Sequence, residues 1–143
     1  MKTLRKVLVG ALVAIIIAFG AFHILTKALS TEVVEVDTSM SEEQVQVYIH
    51  QMTHQKIEAD QKWGATKMSQ ENIENLLTIV KANVDVYERP TMYINILTEW
   101  QDGDFSGVVQ AHNSIWNLQG GTVGRATGYA TEAEEKEFIE NNF

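Results

Sequence analysis

The pattern of apolar residues divides the chain into one long hydrophobic segment and a series of amphipathic ones. Residues 7–25 read VLVGALVAIIIAFGAFHIL, in which His23 is the one ionisable side chain. About 20 apolar residues in a helix span the hydrocarbon core of a bilayer, so this run predicts a transmembrane helix. After residue 40, apolar residues recur every three or four positions, which is typical of amphipathic helices.

The first amphipathic helix has a well-marked start. Ser41 and Gln44 have the spacing of a capping box, in which each side chain bonds the backbone of the other residue. Apolar residues at helical spacing continue to Trp63. Gly64 is a natural stop, because glycine readily adopts the left-handed conformation that ends a helix. We therefore predict one helix from residue 42 to about residue 63.

A second helix is predicted from Ser69, which repeats this start signal. Apolar residues at helical spacing continue as far as Tyr87, and Pro90 ends or kinks the helix. The next segment, TMYINILTEW at 91–100, has β-branched residues that suit a strand. Its apolar residues also match a helical stripe, and we favour the helix.

The C-terminal third predicts two further helices. The turn DGDF precedes an amphipathic stretch that ends at Leu118, where Gly120 and Gly121 supply a positive-φ stop. Thr131 starts a short acidic helix with a second capping box. The predicted fold class is mainly α, with an N-terminal single transmembrane helix followed by a small extracytoplasmic helical bundle of about four to five helices.

The charge distribution orients the predicted anchor. Lys2, Arg5 and Lys6 precede the apolar run, and all 19 acidic residues lie at or beyond Glu32. Because positive charge accumulates on the cytoplasmic side of a membrane span, we predict a single-pass cell-membrane protein with its N-terminus in the cytoplasm and its C-terminal domain outside the cell. The alternative is secretion after cleavage near Gly20.

The predicted organisation has three parts. Residues 1–29 are the cytoplasmic tip and transmembrane anchor, residues 30–39 a tether, and residues 40–143 an acidic helical extracytoplasmic domain. The bilayer is the expected partner of Val7 to Leu25, and an envelope protein is the expected partner of the domain. An acidic domain lacks the basic surface that nucleic acid requires, so nucleic-acid binding is excluded. The sequence indicates no oligomeric state.

Two histidines on one helical face raise the question of a metal site. His50 and His54 are four residues apart in the string HQMTH. A zinc protease needs a glutamate after the first histidine, but Gln51 stands there. A third ligand would have to come from Glu43 or, through the fold, from His112.

The same histidine face has two other interpretations. It also carries Val47 and Ile57 and lies nearly opposite the main apolar stripe. On such a half-apolar face, the first interpretation is that the histidines pack on a neighbouring helix or face solvent. The second is that the face is a binding surface for a protein partner. We name nine interaction candidates from this face and from the stretch 110–128: His50, His54, Ile57, His112, Asn113, Trp116, Gly120, Gly121 and Arg125.

No catalytic constellation or cofactor motif is evident. The glycine-rich string GGTVGRAT (120–127) lacks the glycine spacing and the lysine of a phosphate-binding loop. The chain has no cysteine, and its serines suit helix caps and helices better than a nucleophile. We assign no catalytic residue, no cofactor and no firm metal site. The expected function is non-enzymatic protein interaction, the alternative is metal or small-ligand binding at the His50/His54 face, and an envelope hydrolase ranks last.

Several strings resemble a known family. MTHQK (52–56), KWG (62–64), GDFS (103–106) and HNSIWNLQGGTVGRATG (112–128) are similar to an uncharacterised family of small membrane-anchored proteins of Bacillus-type bacteria, DUF6241. The resemblance covers about residues 40–141. It implies a Gram-positive cell-surface location, and it transfers no catalytic or ligand residue.

Overall fold

The computed structural model describes residues 37–143, which form five helices and a two-stranded ribbon. The predicted transmembrane segment 7–25 lies outside the described residues. Within the described part, none of the helices has the length and apolar character needed to cross a bilayer. The elements are α1 (Glu42–Thr53), β1 (Ile57–Glu58), α2 (Gln70–Ala82), α3 (Pro90–Gln101), α4 (Val108–Leu118), β2 (Gly128–Tyr129) and α5 (Glu132–Asn142).

Helix α1 begins as predicted and ends ten residues earlier than predicted. The capping box between Ser41 and Gln44 is present. The helix stops at Thr53, because the next residues turn and Ile57 enters β1 as a fully buried residue. The predicted extension to Trp63 is therefore wrong, and the Trp63 indole is 72% exposed.

Helix α2 also begins at the predicted cap and is shorter than predicted. It starts after Ser69, whose side chain accepts a hydrogen bond from the third backbone N–H of the helix. It ends at Ala82, where the Asn83 amide donates to the carbonyl of Ile79. Pro90 starts α3, since a first helical position needs no N–H donor. The prediction that α2 runs to Tyr87 is wrong.

The remaining helix predictions are confirmed. Segment 91–100 lies within α3. Helix α4 ends at Leu118, and Gly120 has the expected positive φ of 68°. Gly121 does not have a positive φ; a Cβ there would lie 2.3 Å from the Trp116 ring, so close packing requires this glycine.

The core forms where α2 packs on α3 and α1 packs on α4. Its largest fully buried side chains include Trp100, Tyr93 and Ile49. The ribbon is antiparallel and pairs Ile57 with Tyr129, which ties the loop after α1 to the segment after α4. This ribbon was not predicted, because two residues per strand leave no periodic pattern to detect. The mainly helical fold class is confirmed.

Candidate metal centre

Three imidazoles from two packed helices meet in one cluster. His50 lies in the last turn of α1, His54 is its C-cap, and His112 lies in α4. The ring centroids of His50 and His112 are 4.4 Å apart, and those of His50 and His54 are 5.0 Å apart. One potential ligand atom from each residue lies within 4.8 Å of the other two. Helix α4 thus covers the half-apolar histidine face of α1.

The carbonyl of Gly64 fixes the ring of His54. Its oxygen lies 2.8 Å from Nδ1 of His54. Because a carbonyl oxygen can only accept a hydrogen bond, Nδ1 carries the proton and Nε2 keeps its lone pair. His54 is only 2% exposed, so this hydrogen bond holds a buried ring in one orientation.

A second carbonyl fixes His112 in the same way. Nε2 of His112 donates to the Gly124 oxygen at 2.9 Å, which leaves the lone pair on Nδ1. Nδ1 lies 2.8 Å from the Thr53 hydroxyl, which is also 2.5 Å from the His50 carbonyl. The single hydroxyl proton can serve either acceptor. If a metal took Nδ1 of His112, Thr53 would still have the His50 carbonyl as its acceptor.

His50 is the accessible member of the cluster. It is half-buried, and its Nδ1 lies 2.5 Å from the side-chain oxygen of Gln119. With that oxygen as acceptor, Nε2 of His50 keeps its lone pair. His50 and His54 therefore each have one nitrogen oriented by an oxygen atom and one nitrogen available, which is the usual arrangement of metal-ligating histidines. Nδ1 of His112 becomes available when the Thr53 hydroxyl turns away from it.

The orienting carbonyls come from two glycines in the left-handed region. Gly64 has φ 78° and Gly124 has φ 79°. A Cβ on Gly124 would lie 2.6 Å from the backbone oxygen of Gln61, and a Cβ on Gly64 would lie 2.3 Å from the Gln51 side chain. The loops after α1 and α4 therefore need glycine where they point these carbonyls at the cluster.

Burial keeps two of the imidazoles neutral. Desolvation is the main cause that lowers the pKa of His54 and of His112 to about 4, and electrostatic interactions with the neighbouring His50 and Lys62 side chains act in the same direction. The hydrogen bonds to the two glycine carbonyls act in the opposite direction and are weaker. Near neutral pH both rings are therefore unprotonated, the form in which histidine binds metal.

The cluster has the composition and dimensions of a three-histidine metal site. Tetrahedral zinc with nitrogen ligands at about 2.0–2.1 Å separates those nitrogens by about 3.4 Å. Since the three candidate atoms lie within 4.8 Å of one another, a closure of at most about 1.4 Å would bring them to that spacing. His50 is the member with room to move, because it is partly exposed and bonds only the exposed Gln119 side chain.

A pocket opens beside the cluster. It has a volume of about 210 Å³. His50 and His54 line it, whereas His112 is fully buried behind them. The other lining residues are apolar or carry amides: Val47, Gln51, Gln61, Trp63, Gln119, Val123 and Gly124. Solvent therefore reaches the cluster from one side.

The other interaction candidates lie on α4 and on the loop 119–127, and none of them lines the pocket. Asn113 bonds both backbone groups of Ala126 through its side chain. The Trp116 indole donates to the Val123 carbonyl at 2.7 Å. Both contacts fold the loop 119–127 against α4. Gly120 and Arg125 are exposed on this loop, whereas Gly121 is partly buried.

Two residues that the sequence suggested, one for a partner surface and one as a metal ligand, do not belong to the histidine cluster. Ile57 is fully buried in β1, and this burial removes it from any surface available to a partner. Glu43 is exposed on α1 and does not belong to the histidine cluster.

Sequence reasoning missed the groups that orient the imidazoles. Thr53, Gln119 and the carbonyls of Gly64 and Gly124 all contact the cluster. A backbone carbonyl has no sequence signature of its own. The available signal was the presence of glycine in the loop after each helix that carries a histidine.

The family resemblance is confirmed by comparison with known proteins. A family model described as "Family of unknown function (DUF6241)" matches residues 49–140, a range that contains all three histidines. No curated protein matches the chain, and no solved structure does.

Proposed function

We propose that this chain, which belongs to the DUF6241 family of unknown function, binds a divalent transition metal of the zinc class through His50, His54 and His112. The observation that carries the proposal is the convergence of three imidazoles, each with one nitrogen hydrogen-bonded to an oxygen. Imidazole ligands suit zinc and its neighbours in the first transition series, whereas magnesium and calcium prefer oxygen ligands.

The protonation state and the charge of the domain support metal binding. Because His54 and His112 are held neutral by burial, a metal ion near neutral pH would not compete with protons at these two nitrogens. Beyond the predicted anchor, the chain carries seven basic and 19 acidic side chains. This excess of negative charge raises the local concentration of cations around the domain.

Zinc titration of the full chain in a mild detergent tests the proposal. We expect one zinc ion per chain by isothermal titration calorimetry. His50→Gln is the informative variant, because His50 is half-buried and bonds only an exposed side chain, so the fold should survive its loss. We expect at least about 100-fold weaker binding, since loss of an outer hydrogen-bond partner alone costs about 10–100-fold.

The matched control is His23→Gln, which removes the one histidine outside the cluster. It should bind zinc as the unmodified chain does. Circular dichroism of each variant separates loss of a ligand from loss of the fold. Equal zinc affinity in His50→Gln and the unmodified chain, with both folded, would contradict a three-histidine site.

The location and partner of the domain are part of the same proposal. The apolar run 7–25 would hold the metal-binding domain at the outer face of the cell membrane. The highly exposed Trp63 beside the pocket favours a contact with an envelope protein, because exposed tryptophans are frequent anchors of interfaces. A photoreactive amino acid at position 63 in native membranes should yield a discrete protein adduct, and the absence of any adduct would count against this partner.

A further inference from the structure

We propose that the metal keeps one coordination position for an external ligand, and that this ligand is a small monocarboxylate with a short apolar tail. This inference rests on the metal site proposed above. It concerns the pocket beside His50 and His54, whose remaining lining contains no further histidine, cysteine or carboxylate.

The placement of the three imidazoles leaves one side of a bound ion open. His112 lies behind the cluster and is fully buried, whereas His50 and His54 line the pocket. A four-coordinate ion held by these three nitrogens therefore directs its fourth position toward the pocket. Among the described residues, the group of His, Cys, Asp and Glu side chains able to hold one ion is these three histidines, and we infer that solution supplies the fourth ligand.

The charge of a bound divalent ion favours an anion as its fourth ligand. Imidazole ligands carry no negative charge to compensate that of the ion, and no acidic side chain lines the pocket. The carboxylate of Asp60 lies outside the lining and accepts a hydrogen bond from the backbone amide of Gly124. Lys62 places positive charge near His54 and His112, and the carboxylates of Glu134 and Glu58 partly offset it.

The walls of the pocket favour a carboxylate with a short tail. Gln51, Gln61 and Gln119 bring amide N–H groups that can bond the second carboxylate oxygen. The side chains of Val47, Trp63 and Val123 supply apolar surface beside them. A volume of about 210 Å³ admits a ligand of a few heavy atoms beside the cluster.

Cobalt spectroscopy on the full chain tests this inference. Co²⁺ replaces zinc in tetrahedral nitrogen sites and reports changes in its ligands through visible absorption. The cobalt-loaded chain is titrated with sodium propionate at constant ionic strength. We expect a saturable spectral change with propionate. Propionamide, a neutral molecule of the same shape, should produce none.

Two variants locate the ligand. Trp63→Ala should weaken propionate binding about fivefold through loss of apolar contact. Tyr48→Ala removes an exposed aromatic side chain of α1 that does not line this pocket, and it should leave propionate binding unchanged. The cobalt affinity of each variant is measured first, so that a change in metal loading is not mistaken for a change in ligand binding.

The outcomes distinguish the two proposals. If the chain develops no tetrahedral cobalt spectrum, the metal site itself is overturned. If cobalt binds with that spectrum and propionate leaves it unaltered, the metal site stands and the external carboxylate is overturned. A response to propionate that is equal in Trp63→Ala and the unmodified chain would likewise overturn binding in this pocket.

Discussion

At the scale of single residues, the site depends on glycines as much as on histidines. Gly124 has a φ of 79°, and its carbonyl accepts a hydrogen bond from His112. A Cβ at this position would lie close to the backbone oxygen of Gln61. Gly124→Ala should therefore cost about 3 kcal/mol of unfolding free energy, from the left-handed conformation plus the clash with a backbone oxygen. Urea denaturation measures this loss.

Gly103→Ala is the matched control for this prediction. Gly103 has the same φ of 79°, but nothing lies within 4 Å of a Cβ placed there. Its substitution should cost only the conformational part, about 1 kcal/mol. Equal losses in the two variants would show that the contact between Gly124 and Gln61 is not a constraint on the loop.

The histidines of the site were only partly predictable from the sequence. The four-residue spacing of His50 and His54 places them on one helical turn, and this follows from helical geometry alone. His112 is 58 positions further along the chain, so only the packing of α1 on α4 could bring it to the cluster. The burial of His54 has the same origin, because its face would be exposed on an isolated helix.

At the scale of secondary structure, helix starts were predicted better than helix ends. The caps at Ser41, Ser69 and Thr131 are local signals within four residues, and all three are present. The ends of α1 and α2 depend on tertiary contacts. Ile57 leaves the helical path to pair with Tyr129, and the Tyr87 hydroxyl donates to the Met40 carbonyl. Such distant partners are not visible in the periodicity of a segment.

Glu42 links the start of α1 to the start of α3. Its carboxylate accepts hydrogen bonds from the amides of Glu88 and Arg89 and from the Tyr93 hydroxyl. Glu42→Gln should cost about 1–3 kcal/mol of unfolding free energy near neutral pH, because hydrogen bonds to a charged acceptor are lost. Glu43→Gln, at the exposed neighbouring position, should cost almost nothing.

The pH dependence of this difference has a defined sign. Desolvation raises the pKa of Glu42, but hydrogen bonds from Glu88, Tyr93 and Arg89 together outweigh it, and the net pKa lies below 4.5. The contribution of Glu42 is therefore fully present above the unfolded pKa and is lost as pH falls through the folded pKa. The stabilities of Glu42→Gln and the unmodified chain should converge in acid, and a difference that stays constant would contradict this assignment.

At the scale of the whole molecule, the described domain combines two packed helix pairs with a short ribbon, and the candidate site lies where one pair meets two glycine-containing loops. Composition and periodicity were sufficient to predict a mainly helical acidic domain. They could not predict the ribbon or the convergence of the two loops, since both depend on contacts between distant segments. The acidic composition of the domain and its histidine cluster together are consistent with the proposed binding of a metal cation.

X-ray absorption at the zinc edge of the zinc-loaded full chain tests the central claim most directly, because it reports the atoms that contact the metal. We predict three imidazole nitrogens at about 2.0 Å, with one additional light-atom ligand that completes a tetrahedron. His50→Gln should reduce the imidazole contribution, and His23→Gln should leave it unchanged. A coordination shell made mainly of oxygen atoms, with no imidazole signal, would contradict the three-histidine site.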